Sequence, residues 1–232
     1  GASEHAAQVD HMLELVHWFM LVLFIGWTAF FLFVIVRFHK RFHKRARHAG
    51  MKSHFTTHLE VIVVIIEVAL LLGFAFPLWA ERVDEAPTED HEDAVWIRAV
   101  GFQFGWEFHY RGADGEFGHI RHDRMSTTNT LGLVHEDPNA SDDFSSNGML
   151  ILPKDRPVVI QVTSRDVIHG LALVPMRIQQ DAIPGEELKM WFVPTKTGEW
   201  DIICAQLCGS GHAGMRSSVE VREAEDFDAW FA

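Results

Sequence analysis

Twenty-two consecutive residues, Leu15 to Val36, contain no Asp, Glu, Lys or Arg, and a chain with such a run has few ways to fold. The run is rich in Leu, Phe, Val and Ile, with Trp18 and Trp27 among them. As a helix it is long enough to cross the roughly 30 Å hydrocarbon core of a bilayer. A buried core helix is the weaker reading, because the run is apolar on nearly every face. His17, near one end, reads as interfacial. A second apolar run extends from about Val61 to Ala80 and closes on Pro77-Leu-Trp79 before Glu81-Arg82. Between the two, residues 37–58 are basic: Arg37-Phe-His-Lys-Arg-Phe-His-Lys-Arg-Ala-Arg-His48, then Lys52 and His54. A nucleic-acid patch is conceivable there. The positive-inside rule accounts better for seven Lys or Arg in one short loop between apolar segments, so no nucleic-acid partner is expected and the loop is placed in the cytoplasm. The N-terminus and everything after the second run then lie outside. The second run also contains Glu67, an ionisable residue at membrane depth, which marks either a functional group or one paired with another subunit.

Beyond the second run the composition changes. Asp84 to Asp93 is acidic, contains Pro87 and reads as a linker. Residues 84–232 carry 26 Asp or Glu against 12 Lys or Arg, a balance of −14, so the acidity of the chain lies outside the membrane. Short alternating runs dominate: Trp96–Val100, Gly148–Leu152, Val158–Thr163, Leu188–Phe192, Trp200–Ile203 and Ser217–Val221. Turns rich in Pro and Gly separate them, which predicts a Greek-key β-sandwich. Arg124 to Asn147 has few apolar residues and reads as a long loop, and Glu223 to Trp230 as a short terminal helix. The expected organisation is residues 1–83 as an N-terminal segment and transmembrane hairpin, with spans at about 15–36 and 61–80, and residues 84–232 as an all-β extracytoplasmic domain. The start at Gly1-Ala-Ser-Glu-His is not signal-like and lacks an initiator Met, consistent with a leader removed before this numbering begins.

Near the C-terminus, Cys204-Ala-Gln-Leu-Cys208-Gly-Ser-Gly-His212-Ala-Gly-Met215 places two thiols, an imidazole and a thioether within twelve residues. These ligands are soft. One Cys, two His and a weak Met make a mononuclear blue-copper site, and a second Cys four residues away allows two thiolates to bridge two copper ions. The further imidazole is best supplied by His169, which follows the strand-like run Val158–Thr163. From the cysteines alone a disulfide is favoured, because two cysteines in an extracytoplasmic domain more often pair than bind metal. A disulfide, however, has no need of His212 and Met215 at fixed offsets, and a Cys2His2 zinc site has no use for a thioether.

This cluster resembles the copper-binding signature of subunit II of the haem-copper cytochrome c oxidases, which holds the binuclear CuA centre. Asp166-Val-Ile-His169, Gln180-Asp181-Ala-Ile-Pro184-Gly185, Pro194-Thr-Lys-Thr-Gly198-Glu199 and the membrane hairpin support the resemblance over nearly the whole chain. It implies a cupredoxin fold for the sandwich, with Cys204 and Cys208 as bridging thiolates and His169 and His212 as one imidazole per copper. Met215 and the backbone carbonyl of Gln206 become the weak ligands. It implies an electron-accepting subunit of a terminal oxidase, passing electrons to haem in a haem- and CuB-containing subunit I, where oxygen is reduced to water with proton translocation. Subunit III is a further expected partner, and a bacterial inner membrane fits better than a mitochondrion.

The resemblance also assigns roles where this chain departs from the family. Electrons are expected to come in through the aromatic run Gly101-Phe-Gln-Phe104-Gly-Trp106-Glu-Phe108-His-Tyr110, although an aromatic core strand explains the same residues. The family's exposed Trp aligns with Phe104, and Trp106 falls on the next family Trp. Arg165 stands where the family often has an acidic residue, so the donor is expected to differ from a mitochondrial-like cytochrome c, though the charge of −14 favours a basic partner at a distance. No Cys-x-x-Cys-His occurs, so a haem-c donor must be a separate protein or subunit. Glu60, after His54 and Leu59, matches the family Glu at the mouth of a proton-uptake path. Gln206 replaces a Glu that helps bind magnesium, and a neutral amide is a poorer ligand for that ion. A CuA-containing nitric oxide reductase would use the same module. A quinol oxidase subunit would lack the copper ligands, and a structural sandwich with a Cys204–Cys208 disulfide would bind no copper.

Overall fold

The computed structural model describes residues 1–232 apart from 43, 44, 46, 47, 49–52, 90, 92, 113, 127, 128, 130 and 232. Much of the basic loop, including Lys44, Arg47 and Lys52, therefore lies outside the described residues. Two compact units form: residues 8–85, and residues 86–232 together with Gly1–Ala7.

In the first unit, α1 spans Ala6–Arg37 and a second continuous helix spans Phe55–Asp84. Each contains a window of mean hydropathy 2.7 with none of it buried by protein. A helix that is apolar all round and uncovered needs lipid around it. Both helices extend beyond the apolar runs because the backbone hydrogen bonds continue into the polar flanks. The second helix is not uniform: α2, Phe55–Leu70, passes through a π-helical turn, Leu71–Ala75, into α3, Phe76–Asp84. Pro77 has no N–H for the carbonyl four residues back, and a local change of winding just before it accommodates that loss. Gln8 donates to Glu81 Oε1 at 3.2 Å, bringing the outer ends of the two helices together as a hairpin requires.

The second unit is a sandwich of two five-stranded sheets. In chain order the strands are β1 Val95–Phe102, β2 Gly105–Tyr110, β3 Phe144–Asn147, β4 Met149–Pro153, β5 Val158–Ser164, β6 His169–Leu173, β7 Ile178–Ala182, β8 Leu188–Phe192, β9 Gly198–Cys204 and β10 Arg216–Arg222, followed by helix α4, Ala224–Phe231. One sheet runs β3-β2-β1-β5-β8 and the other β4-β10-β9-β6-β7. The six alternating runs all fall on strands. Four strands lie outside those runs. β2 alternates, with Trp106, Phe108 and Tyr110 fully buried on one face and the polar Glu107 and His109 buried on the other. β3 is a polar edge strand, Phe-Ser-Ser-Asn, whose pairing to β2 is specified across the sheet and not by its own hydrophobicity. The stretch read as a loop from Arg124 to Asn147 therefore ends in a strand. β6 and β7 form an antiparallel pair behind the His169 motif.

The inner faces are locked by side chains that cross between sheets. Tyr110 on β2 donates its hydroxyl to the Ile151 carbonyl of β4 at 3.0 Å and accepts from the Ile151 N–H at 2.8 Å. Gly1–Ala7 also packs on this unit: Ala2 N–H bonds the Pro175 carbonyl at 2.7 Å, Thr195 N–H bonds the Ala2 carbonyl at 2.9 Å, and Ser3 bridges to Pro194. The hairpin segment taken as residues 1–83 thus begins with residues that belong to the sandwich.

The long β2–β3 connection is held by a buried polar cluster. Asp143 accepts from the Gly112 and Gly118 N–H groups at 3.0 and 2.7 Å and lies 2.8 Å from Nε2 of the buried His109. The Arg98 guanidinium is 3.4 Å from His109 Nδ1 and lies over the Phe117 ring at 4.4 Å. Burial pushes the His109 imidazole down from 6.5 to about 4; Asp143 opposes the shift and Arg98 reinforces it. The unfolded chain then binds the extra proton more readily, so this contribution to stability is complete above about pH 6.5 and is lost as pH falls toward 4. Thermal unfolding of the purified chain should show Tm falling between pH 7 and 4.5, and His109→Gln should reduce that fall by roughly 5 °C. An unchanged pH dependence in the variant contradicts this assignment.

Candidate metal centre

Three connections meet at one end of the sandwich: the β1–β2 turn at Gln103 and Phe104, the β5–β6 loop at residues 165–168, and the β9–β10 loop at residues 205–215. Strand pairing brings two of them together. Leu171 of β6 lies opposite Cys204 of β9, and Ala205 N–H bonds the Gly170 carbonyl at 2.9 Å. Gln103 joins all three, because its backbone N–H donates to Asp166 Oδ2 at 2.7 Å and its side-chain amide donates to the Cys208 carbonyl at 2.6 Å.

Within this end the predicted ligands converge as a chain of contacts. His169 Nδ1 is 4.0 Å from Cys204 Sγ, which is 3.8 Å from Cys208 Sγ, which is 3.6 Å from His212 Nδ1. Met215 Sδ lies 3.7 Å from Cys208 Sγ, and the Gln206 carbonyl oxygen 3.1 Å from Cys204 Sγ. Both thiols are free, and His169, Cys204, Cys208 and Met215 are all buried. Burial, and next the neighbouring Cys204 thiol, push the Cys208 thiol up to about 11. The donor set itself, two sulfurs between two imidazoles with a thioether and a carbonyl at the sides, fits soft metal ions such as copper.

His169 is held from behind. Its Nε2–H donates to Asp166 Oδ1 at 2.8 Å, which leaves Nδ1 to face Cys204. Burial opposes ionisation of Asp166, but hydrogen bonds from His169 and from the Gln103 and Val167 amides outweigh it and hold the carboxyl below its ordinary value. The Trp106 ring packs edge-on against the imidazole, 5.9 Å between centroids at 68°. Gly101 leaves room for both, since a Cβ there would lie 3.0 Å from the His169 ring and 3.1 Å from Trp106.

The two aromatic candidates for electron input separate here. Phe104 is 41% exposed and covers Gly209 and Gly211, whereas Trp106 is fully buried and no donor can touch it. Glu60 is exposed on α2, in the other unit. Asp166 and Gln103 were visible in the sequence only as members of motifs; their work of positioning depends on contacts between loops far apart in the chain.

Residues 95–222, more than half of the chain, match the family profile "Cytochrome C oxidase subunit II, periplasmic domain". The chain belongs to the cytochrome c oxidase subunit II family. It is 31% identical over 226 residues to the alternative cytochrome c oxidase subunit 2 of Bradyrhizobium diazoefficiens, covering 96% of this chain and 78% of that one. Cytochrome c oxidase subunit 2 of Cereibacter sphaeroides is 27% identical over 231 residues, covering 93% and 74%. The crystal structure of the periplasmic domain of subunit II of cytochrome oxidase from Bradyrhizobium japonicum aligns at TM-score 0.44 and 30% identity over 63% of this chain and 94% of that one. As a subunit II family member, the chain is a membrane-anchored component of an oxidase complex with its β-sandwich on the periplasmic side.

Proposed function

We propose that this subunit II holds a binuclear copper centre at the sandwich tip and accepts electrons there from an extracytoplasmic donor. The observation that carries the reading is the unbroken contact series His169, Cys204, Cys208, His212, with Met215 and the Gln206 carbonyl flanking the sulfurs. When bound, a copper pair supplies a one-electron carrier between the donor and haem in subunit I, where oxygen is reduced to water with proton translocation.

The chain's own residues prepare that site. Cys204 and Cys208 would supply the two thiolates that hold the copper pair, and His169 and His212 the two imidazoles. Asp166 fixes the ring of His169, and Trp106 packs against it so that the imidazole has one position. Burial of His169 and both sulfurs excludes water and limits rearrangement between oxidation states. Phe104, at the surface and in contact with the 209–211 loop, is the side chain through which a donor approaches. Gln206 offers its carbonyl to copper, and its amide makes a magnesium site at that position unfavourable. Glu60 is proposed as the carboxylate at the mouth of the proton path, and the host membrane as a bacterial inner membrane.

A complex purified through this chain should consume oxygen when supplied with reduced cytochrome c. Cys208→Ser should leave the chain in the complex but remove bound copper and cut that oxygen uptake by at least about tenfold. Asp166→Asn should keep the metal but weaken its retention against a chelator by roughly 10–100-fold. Nitric oxide turnover without oxygen uptake, or full activity in Cys208→Ser, contradicts the proposal. Glu60→Ala should slow proton uptake from the cytoplasmic side of reconstituted vesicles, and unaltered uptake removes Glu60 from the path.

A further inference from the structure

Glu67 is the only ionisable residue between Val61 and Ala80, on the helix Phe55–Asp84. At the helical rise it sits about 18 Å from the start of that helix, near the middle of the hydrocarbon. Residues 61–66 and 68–76 on either side are apolar, and a side chain as short as Glu cannot carry its charge past them to the bilayer surface. Its neighbours one turn away, Val63, Val64, Leu70 and Leu71, offer neither a hydrogen bond nor a counter-charge.

The other membrane helix supplies no partner at that depth. Gln8 and Glu81 meet at the outer ends of the two helices. Glu67 lies about 21 Å inward from Glu81, and the same rise along α1 from Gln8 arrives at Leu21-Val22-Leu23. His17 lies about 8 Å shallower than Glu67, and its Nδ1 is 2.6 Å from the Leu13 carbonyl of its own helix. Arg37 lies about 22 Å deeper. Glu67 itself is exposed, and among the described residues no side chain bonds to it.

Position on the helix shows which face is involved. Thr56 and Glu60 precede Glu67 by eleven and seven residues, so the three polar side chains fall on one stripe roughly 40° wide. Polar groups at membrane depth face protein or a water-filled cavity and not lipid. We infer that the Glu67 carboxylate forms an ion pair at mid-bilayer depth with a basic side chain on a transmembrane helix of another subunit of the oxidase complex, seated against the stripe of Thr56, Glu60 and Glu67. A cation offsets the cost of the buried charge both by attraction and by hydrogen bonding. The pair also fixes the rotation of this helix in the complex, because any turn about its axis would carry the carboxylate into lipid. The inference rests on membership of an oxidase complex and stands apart from the copper centre.

The test is recovery of this chain with the complex, pulled down in mild detergent through a tag on another subunit and divided by the amount of chain in the membrane. Glu67→Gln and Glu67→Leu should each lower that ratio by at least about tenfold, because either change leaves the partner's cation buried and unpaired. Glu67→Leu makes the span more apolar, so failed insertion cannot account for its loss. Glu67→Asp keeps the charge and should stay within about threefold of the parent. Glu67→Lys should abolish recovery, and acidic replacement of a basic residue in a partner transmembrane helix should restore it. Parent-level recovery of both Glu67→Gln and Glu67→Leu overturns the inference. Loss in Glu67→Leu alone also overturns it, since an uncharged amide would then suffice. The third contrary result is an infrared band of a protonated carboxyl in the parent complex that disappears in Glu67→Gln.

Discussion

The hydrogen bond from His169 Nε2–H to Asp166 Oδ1, 2.8 Å long, settles which imidazole nitrogen is left to meet the sulfurs. With the proton on Nε2, the Nδ1 lone pair points toward Cys204, and without that constraint the ring has two orientations and two tautomers open to it. The same carboxylate takes the Gln103 N–H on its other oxygen, so one partly exposed group orients the His169 ring and anchors the loop bearing Phe104. A single change at Asp166 therefore reaches both the cluster and the exposed Phe104 beside it.

That arrangement depends on strands more than on loops. His169 begins β6 and Cys204 ends β9, and these two strands pair through Leu171 and Cys204. Cys208, His212 and Met215 follow in a loop whose ends are held by Cys204 N–H on the Met215 carbonyl at 3.2 Å and by β10 pairing back along β9. Four of the proposed ligand atoms, counting the Gln206 carbonyl, are thus placed by a loop of about a dozen residues pinned at both ends by a sheet, which is how a loop site attains the precision of a rigid element. Across the sandwich, Tyr110 holds the two sheets in register, and the His109–Asp143 pair holds the long connection over the outer face.

Much of this was legible in the sequence, for physical reasons that differ by element. The membrane helices announce themselves by uninterrupted apolarity, and the cluster by the rarity of two Cys, a His and a Met within twelve residues. The strands in the six runs are legible from their apolar pattern; β2 alternates too, but its aromatic run reads equally as a core strand or an electron path, and β3, an edge strand of Phe, Ser and Asn, carries no apolar pattern of its own. Partners distant in sequence left no local trace. Nothing in Gly1–Ala7 signals that it packs on Pro175 and Pro194, and nothing in the aromatic run separates buried Trp106 from exposed Phe104 except the turn at Gln103 that places them on different sides.

The most direct test of the central claim is the electron paramagnetic resonance spectrum of the oxidised, copper-loaded chain, with metal counted per chain. Two coppers sharing one unpaired electron, shown by hyperfine coupling to both nuclei, is the result expected from two thiolates set between two imidazoles. One copper with the spectrum of a mononuclear blue site, or a chain that takes up no copper, would contradict it.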